Sequence, residues 1–320
     1  MRPSPKSILE EIRLSPSRGT GPVEHRLQLR STEVAYFEWN AELRDEAPLV
    51  LFVHATGFHA RVWDQTLNHL NPRWAISLDQ RGHGRSQKTE IKNWKVFGDD
   101  LAEFVEKLDL RSIIGVGHSM GGHAMVEAAA FHADRFERLL LIDPVISAPD
   151  QYGPQSEALK KLAEEGHPTI RRRNHFKSAQ EMFERFRNRL PFSRFTPAAL
   201  HDYCDHGLIP IHGGDGFQLA CPPEVEASIY LTARSNPRVF ESAARVTAPV
   251  TILRAKLPNP DRDIMDFSSS PTWPDLVTLF ADGLDVHWRD ASHFIPMEKP
   301  DWTAQWVARR DARNQPGAGP

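Results

Sequence analysis

Cysteine is scarce: Cys204 and Cys221 are the two in a chain of 320 residues. Their spacing fits no zinc site and two thiols make no disulfide framework, so both are expected as partly buried free thiols in a reducing compartment. Long apolar runs are missing too. No stretch approaches the ~18 apolar residues that a membrane helix needs. Residues 1–19 mix Arg, Lys, Glu and Pro, without the apolar core of a secretory signal. Nor is there an excess of one charge: 39 Lys and Arg stand against 42 Asp and Glu, for a formal net charge of −3. That balance argues for neither nucleic acid nor a membrane surface as a partner. The one basic cluster, Arg171, Arg172 and Arg173, reads as a solvated helix face. The expectation is a cytoplasmic protein whose partner is a small molecule, with a homodimer compatible with these features.

What is there is ordinary for a globular chain, with 40% hydrophobic and 25% charged residues. The length suits one large domain, or one domain carrying an insertion. Apolar, β-rich runs alternate with helical patterns, which predicts a largely parallel α/β sheet. Segments 27–30 and 34–39 read as an opening hairpin. The run Leu49-Val50-Leu51-Phe52-Val53-His54 reads as a strand buried on both faces. Strands are predicted again near 74–78, 112–116 and 139–142. Between them Phe97, Leu101, Phe104, Val105 and Leu108 form one stripe of a helix over 94–108. The rhythm then breaks. Residues 146–235 read as helical or irregular, with no buried-strand run, before strands resume near 249–253 and 284–288. Helices are predicted near 274–280 and over 300–310. The predicted organisation is an extension over 1–24, a core over 25–145 and 236–310, a helical insertion over 146–235 and a disordered tail over 311–320.

The run Gly115-Val116-Gly117-His118-Ser119-Met120-Gly121-Gly122 carries the chemistry. Gly-x-Ser-x-Gly after an apolar strand and before an Ala-rich helix predicts a nucleophile elbow. Such a turn holds the Ser119 hydroxyl up at the sheet edge, facing the helix N-terminus. A serine nucleophile needs a base. Among 15 histidines, His293 sits just past the last predicted strand, on the expected edge. The imidazole in turn needs a carboxylate, and several compete: Asp143 ends the strand beside the elbow, while Asp261, Asp263 and Asp266 lie in a later loop. An oxyanion hole needs two backbone N–H groups. Met120 is expected to supply one. The loop His54-Ala55-Thr56-Gly57-Phe58-His59 is expected to supply the other, from Thr56 or Phe58, with Thr56 favoured. Asp79 and Arg81, in Asp79-Gln80-Arg81-Gly82-His83-Gly84-Arg85-Ser86, read as structural holders of neighbouring loops. His59, His118 and His123 flank the site and read as packing.

Together these motifs resemble the α/β-hydrolase superfamily. His54-x-x-Gly57, Asp79-x-Arg81-Gly82-His83-Gly84-x-Ser86, Gly117-His118-Ser119-Met120-Gly121-Gly122 and Ser292-His293-Phe294 occur in its order, over about residues 25–310. The resemblance implies an α/β-hydrolase fold, with a mostly parallel eight-stranded sheet, helices on both faces and the insertion as a helical cap. Two departures stand out. Ala55 replaces the usual glycine after His54. The usual acid position, counted from Arg254, falls on Pro258, which cannot serve. Some members take the acid from the end of the preceding strand, so the resemblance favours Asp143 over Asp263 or Asp266. It also implies acyl transfer to water on an ester or lactone, with no metal or cofactor. A carbon–carbon bond hydrolase or thioesterase with the same triad is the alternative, and a non-catalytic small-molecule receptor is disfavoured by the intact serine and histidine. Phe176, Phe183, Phe186, Phe192, Phe195 and Tyr203 of the insertion are candidates for an apolar acyl site.

Overall fold

The computed structural model describes residues 21–153, 164–257 and 266–309. The expectations for most of the N-terminal extension, for the tail, and for Asp261 and Asp263 lie outside the described residues.

The chain opens with a hairpin, β1 (Val23–Gln28) and β2 (Glu33–Trp39). β1 starts earlier than its apolar residues suggest, because antiparallel pairing carries it back to a Val23–Glu38 match. β3 (Leu49–Val53), helix α1 (Asp64–Asn68), β4 (Ala75–Leu78), helix α2 (Lys95–Lys107), β5 (Ile113–His118), helix α3 (Met120–Phe131) and β6 (Phe136–Ile142) follow. The inserted segment then holds β7 (His175–Phe176), α4 (Ala179–Phe186), α5 (Pro197–His206), β8 (Leu208–Pro210), β9 (Phe217–Leu219) and α6 (Pro223–Leu231). The sheet rhythm returns with α7 (Arg238–Arg245), β10 (Val250–Arg254), β11 (Gly283–His287), α8 (Ile295–Glu298) and α9 (Pro300–Ala308). The main sheet has eight strands in the order β1-β2-β4-β3-β5-β6-β10-β11. From β4 to β11 neighbouring strands run parallel; β1–β2 and β2–β4 are antiparallel.

Two cores result from the two-residue period of the strands. Leu49, Leu51 and Val53 of β3 face one layer, built with α2, α3 and α7, whereas Val50 and Phe52 face the other. Helix α3 is buried from Met120 to Ala130, as a helix that is apolar almost all round must be. The α2 stripe buries Phe97, Leu101, Phe104 and Val105, as its spacing predicts. Among the described residues no helix is long and apolar enough to cross a membrane.

The insertion, expected to be helical or irregular, also holds short strands. β7, β9 and β8 form a small antiparallel sheet. Its strands are two or three residues long, too short for alternation to register in the sequence. The helix expected near 274–280 is a single 3-10 turn, Leu276–Leu279.

Candidate active site

Four parallel strand ends and their loops build the site. Between β5 and α3, Ser119 adopts φ 58 and ψ −119, outside the regions that ordinary residues favour. The conformation is over-determined by its surroundings. The Ser119 amide donates to Ile142 O at 3.0 Å, and its carbonyl accepts from Gly122 and Val145. The turn also presses against the end of β3: a Cβ on Gly121 would lie 2.2 Å from Val53 O. Glycine there is a requirement of close approach, not of flexibility.

His293, in the loop between β11 and α8, reaches Ser119. Its Nε2 lies 2.9 Å from Ser119 Oγ, and its Nδ1 lies 2.6 Å from Asp143 Oδ2. All three side chains are buried: Ser119 is 5%, His293 4% and Asp143 0% exposed. A buried carboxylate must be satisfied by donors, and Asp143 is. Its Oδ1 accepts from the Ala255 amide at 3.1 Å, from Ser270 Oγ, and from Thr272 Oγ1 at 3.4 Å. The Asp143 amide donates to Leu253 O at 2.7 Å, tying the end of β6 to β10. Asp266 lies in the cavity wall instead, where its Oδ1 accepts from the Ser268 amide.

The loop after β3 approaches from the other side. The Phe58 amide is spent in a turn, donating to Ala55 O at 3.2 Å, and the Gly57 amide donates to His83 Nε2 at 3.1 Å. Neither the Thr56 amide nor the Met120 amide has an acceptor among the described residues. Met120 opens α3, where the first amides have no partner within the helix. The Asp79 carboxylate braces this loop through the amides of Ala60 and Arg85, both at 2.7 Å, while Arg81 pairs with the Asp100 carboxylate at 2.5 Å.

Sequence reasoning passed over three residues of this network. Ser270 and Thr272 hold Asp143, but a Ser/Thr pair in a long loop carries no signal of its own. His118, read as packing, uses Nε2 to bond the His293 carbonyl at 2.8 Å. Burial, helped by the neighbouring His293, holds the His118 imidazole well below its ordinary value. It therefore stays neutral, with one N–H to donate. Its place directly before Ser119 was the available clue.

Ser119 and His293 open into a cavity of about 820 Å³. Thr56, Trp94 and Phe267 line it, with the stretch Tyr230–Ser235 of the insertion and hydroxyls of Ser147, Ser269 and Thr272. Lys92 and Arg234 bring cationic side chains to the same wall, and Asp150 and Asp266 bring carboxylates. The aromatic residues that were candidates for an acyl site do not line this cavity. Phe186 stacks on Phe192 at 4.4 Å, Phe192 meets Tyr203 at 5.2 Å, and Phe183 stacks on His201 at 3.9 Å. Phe176, Phe195 and Tyr203 are buried in the same cluster. The rings form the insertion's own core, since burial of so much apolar area outweighs any preference for a ligand surface.

A serine on a strand-to-helix turn is thus bonded to a histidine that is bonded to a carboxylate, the connectivity of a Ser-His-Asp triad. The chain belongs to the Alpha/beta hydrolase family, whose model matches residues 50–306. A 2-(acetamidomethylene)succinate hydrolase from Mesorhizobium japonicum is 26% identical over 274 residues, covering 84% of this chain and 92% of that protein. The crystal structure of an E-2-(acetamidomethylene)succinate hydrolase superposes with a TM-score of 0.66 at 23% identity, over 89% of this chain and 97% of that one. A thermophilic esterase from Thermogutta terrifontis superposes with a TM-score of 0.60 at 21% identity, over 90% of this chain and 97% of that one. These two structural likenesses speak for the fold.

Proposed function

We propose that the protein hydrolyses a carboxylic ester or lactone through an acyl-enzyme on Ser119. The observation that carries this reading is the continuous chain Ser119–His293–Asp143, with links of 2.9 and 2.6 Å, opening on a cavity of about 820 Å³. His293 takes the Ser119 proton as the oxygen attacks the carbonyl carbon. Asp143 accepts from Nδ1–H, holding the ring in the tautomer that leaves Nε2 free as base, and stabilises the imidazolium. The oxyanion forms against the amides of Met120 and Thr56, which are fixed in advance and have no other acceptor among the described residues. His293 returns the proton to the leaving oxygen. Water then repeats the sequence in reverse and releases the acid.

The cavity wall bears on the substrate. Lys92 and Arg234 have no ion-pair partner among the described residues, so a carboxylate substituent on the substrate would meet an uncommitted charge there. The Mesorhizobium relative is a 2-(acetamidomethylene)succinate hydrolase, and a succinate is in keeping with that wall. An acidic ester is therefore the first substrate to assay, beside its neutral counterpart, a thioester and a vinylogous diketone. Ser119→Ala is expected to lose on the order of 10⁵–10⁶ of turnover, and to lose covalent labelling by a fluorophosphonate. A variant that kept most of its esterase activity would remove Ser119 from the reaction.

A further inference from the structure

The loop that carries Thr56 is gripped from two directions, and one grip comes from the insertion. On the core side, His83 Nε2 accepts the Gly57 amide at 3.1 Å, while His83 Nδ1–H donates to Arg81 O at 3.0 Å. Burial, with His54 close by, holds the His83 imidazole well below its ordinary value, so Nε2 remains an acceptor. The preceding peptide is pinned as well. Ala55 O accepts from the Phe58 amide at 3.2 Å and from His54 Nδ1–H at 2.8 Å. In a trans peptide the N–H points away from its carbonyl. With Ala55 O fastened inward, the Thr56 N–H is aimed the opposite way.

On the outer side sits Glu226 of α6, 4% exposed. Gly57 has φ +78, and a Cβ there would lie 2.7 Å from Glu226 Oε1. The carboxylate thus rests directly on the Gly57 backbone. Arg172, also of the insertion, donates from Nη1 to Glu226 Oε2 and from Nη2 to Tyr203 Oη at 3.2 Å. Tyr203 packs in turn on Phe58 at 5.0 Å. A buried ion pair is poor evidence of stabilisation, because desolvation offsets its attraction; fixing one arrangement is its better-attested use.

We propose that Arg172 and Glu226 are positioning residues which press the loop of residues 55–58 into the geometry that presents the Thr56 amide to the reacting carbonyl. The placement of the insertion is thereby coupled to the chemical step, without either side chain touching substrate. This inference rests on the acyl-transfer reading above.

The test compares Glu226→Ala and Glu226→Gln with the unaltered protein, using a nitrophenyl ester and a boronic acid that forms a tetrahedral adduct on Ser119. Glu226→Ala should lower kcat about 10- to 100-fold with KM within about threefold, short of or equal to the loss of a whole oxyanion donor. Boronate affinity should fall by the same factor as kcat/KM. Glu226→Gln keeps the shape and the bond to Arg172, and should recover most of both. Should Glu226→Ala not fold, Arg172→Met is read by the same two measurements. The proposal is overturned if the folded variant keeps kcat and boronate affinity within twofold, or if only thermal stability falls. Failure of the underlying reading looks different, because the unaltered protein would then not react with the boronate or a fluorophosphonate at all.

Discussion

The two walls of the cavity are built on different principles. On the sheet side, position is set by backbone: Ser119 by its turn, Asp143 by the end of β6 against β10, and the Met120 amide by the start of α3. On the insertion side, position is set by side chains: a cluster of aromatic rings, the Arg172–Glu226 pair, and cations such as Arg234 at the cavity wall. Backbone-built geometry has little room to relax, so alterations there should strike the chemical step. Side-chain-built geometry should instead govern binding, stability and the aim of neighbouring loops.

The sharpest way to break this contrast is at the sheet wall. Asp143→Asn keeps the shape but reverses the hydrogen-bond logic, since an amide can donate to Nδ1 and stabilise the wrong tautomer of His293. A fall in kcat of about 10⁴ is expected, with KM changed far less. The measurement is steady-state kinetics on a nitrophenyl ester. A loss below tenfold would mean that the acid is supplied from elsewhere in the loops.

That carboxylate also shows how far the sequence could be read. The serine was legible because a strand, a tight turn and a helix surround Gly-x-Ser-x-Gly, and those patterns are local. The histidine followed from its place after the last strand. Asp143 was not separable from Asp261, Asp263 and Asp266 by chemistry alone, since all are carboxylates on loops near one sheet edge. What places Asp143 against His293 is the β6–β10 pairing and the donors Ala255, Ser270 and Thr272, which are long-range contacts. The insertion was least legible. Phe186 or Phe192 looks the same in sequence whether it faces a ligand or another ring, and only tertiary packing decides. The positions of the parallel strands were legible in outline, because fully buried strands announce themselves as continuous apolar runs, whereas the count of eight came from the family resemblance.

A second contrast is in acid sensitivity. Burial lowers His123 on α3 to about 4, and burial together with Arg61 and Arg85 lowers His206 at the end of α5 to about 4. Both are neutral in the fold and have the ordinary value of 6.5 when unfolded. The unfolded chain therefore binds more protons below 6.5, so stability is complete above that pH and is lost as pH falls toward about 4. For fully buried His123 the gap corresponds to about 3 kcal/mol. Thermal melts between pH 7 and 4.5 should show Tm falling steadily. His123→Asn should flatten that fall more than His206→Asn, because His206 is partly open to solvent screening. Equal slopes would erase the difference between the walls in this respect.

The rings of the insertion give a smaller effect. Phe186 is half-buried against Phe176, Phe192 and Tyr203. Phe186→Ala should cost about 1–3 kcal/mol of stability, seen as a lower midpoint in urea. Measured well below its midpoint, the variant should keep KM and kcat for a nitrophenyl ester. A raised KM with unchanged stability would return these rings to the role of an acyl site.

The smallest expected effect is the most selective. Arg234 lines the cavity from the insertion and is exposed, so its charge is screened and its contribution to binding is modest. Arg234→Met should raise KM for an acidic ester about five- to tenfold, leave kcat unchanged, and leave KM for the neutral counterpart within about twofold. Added salt should narrow the gap between the two esters in the unaltered protein and do little in the variant. Should both esters respond alike, the wall acts through shape, and the side-chain-built half of the cavity distinguishes substrates by fit instead of charge.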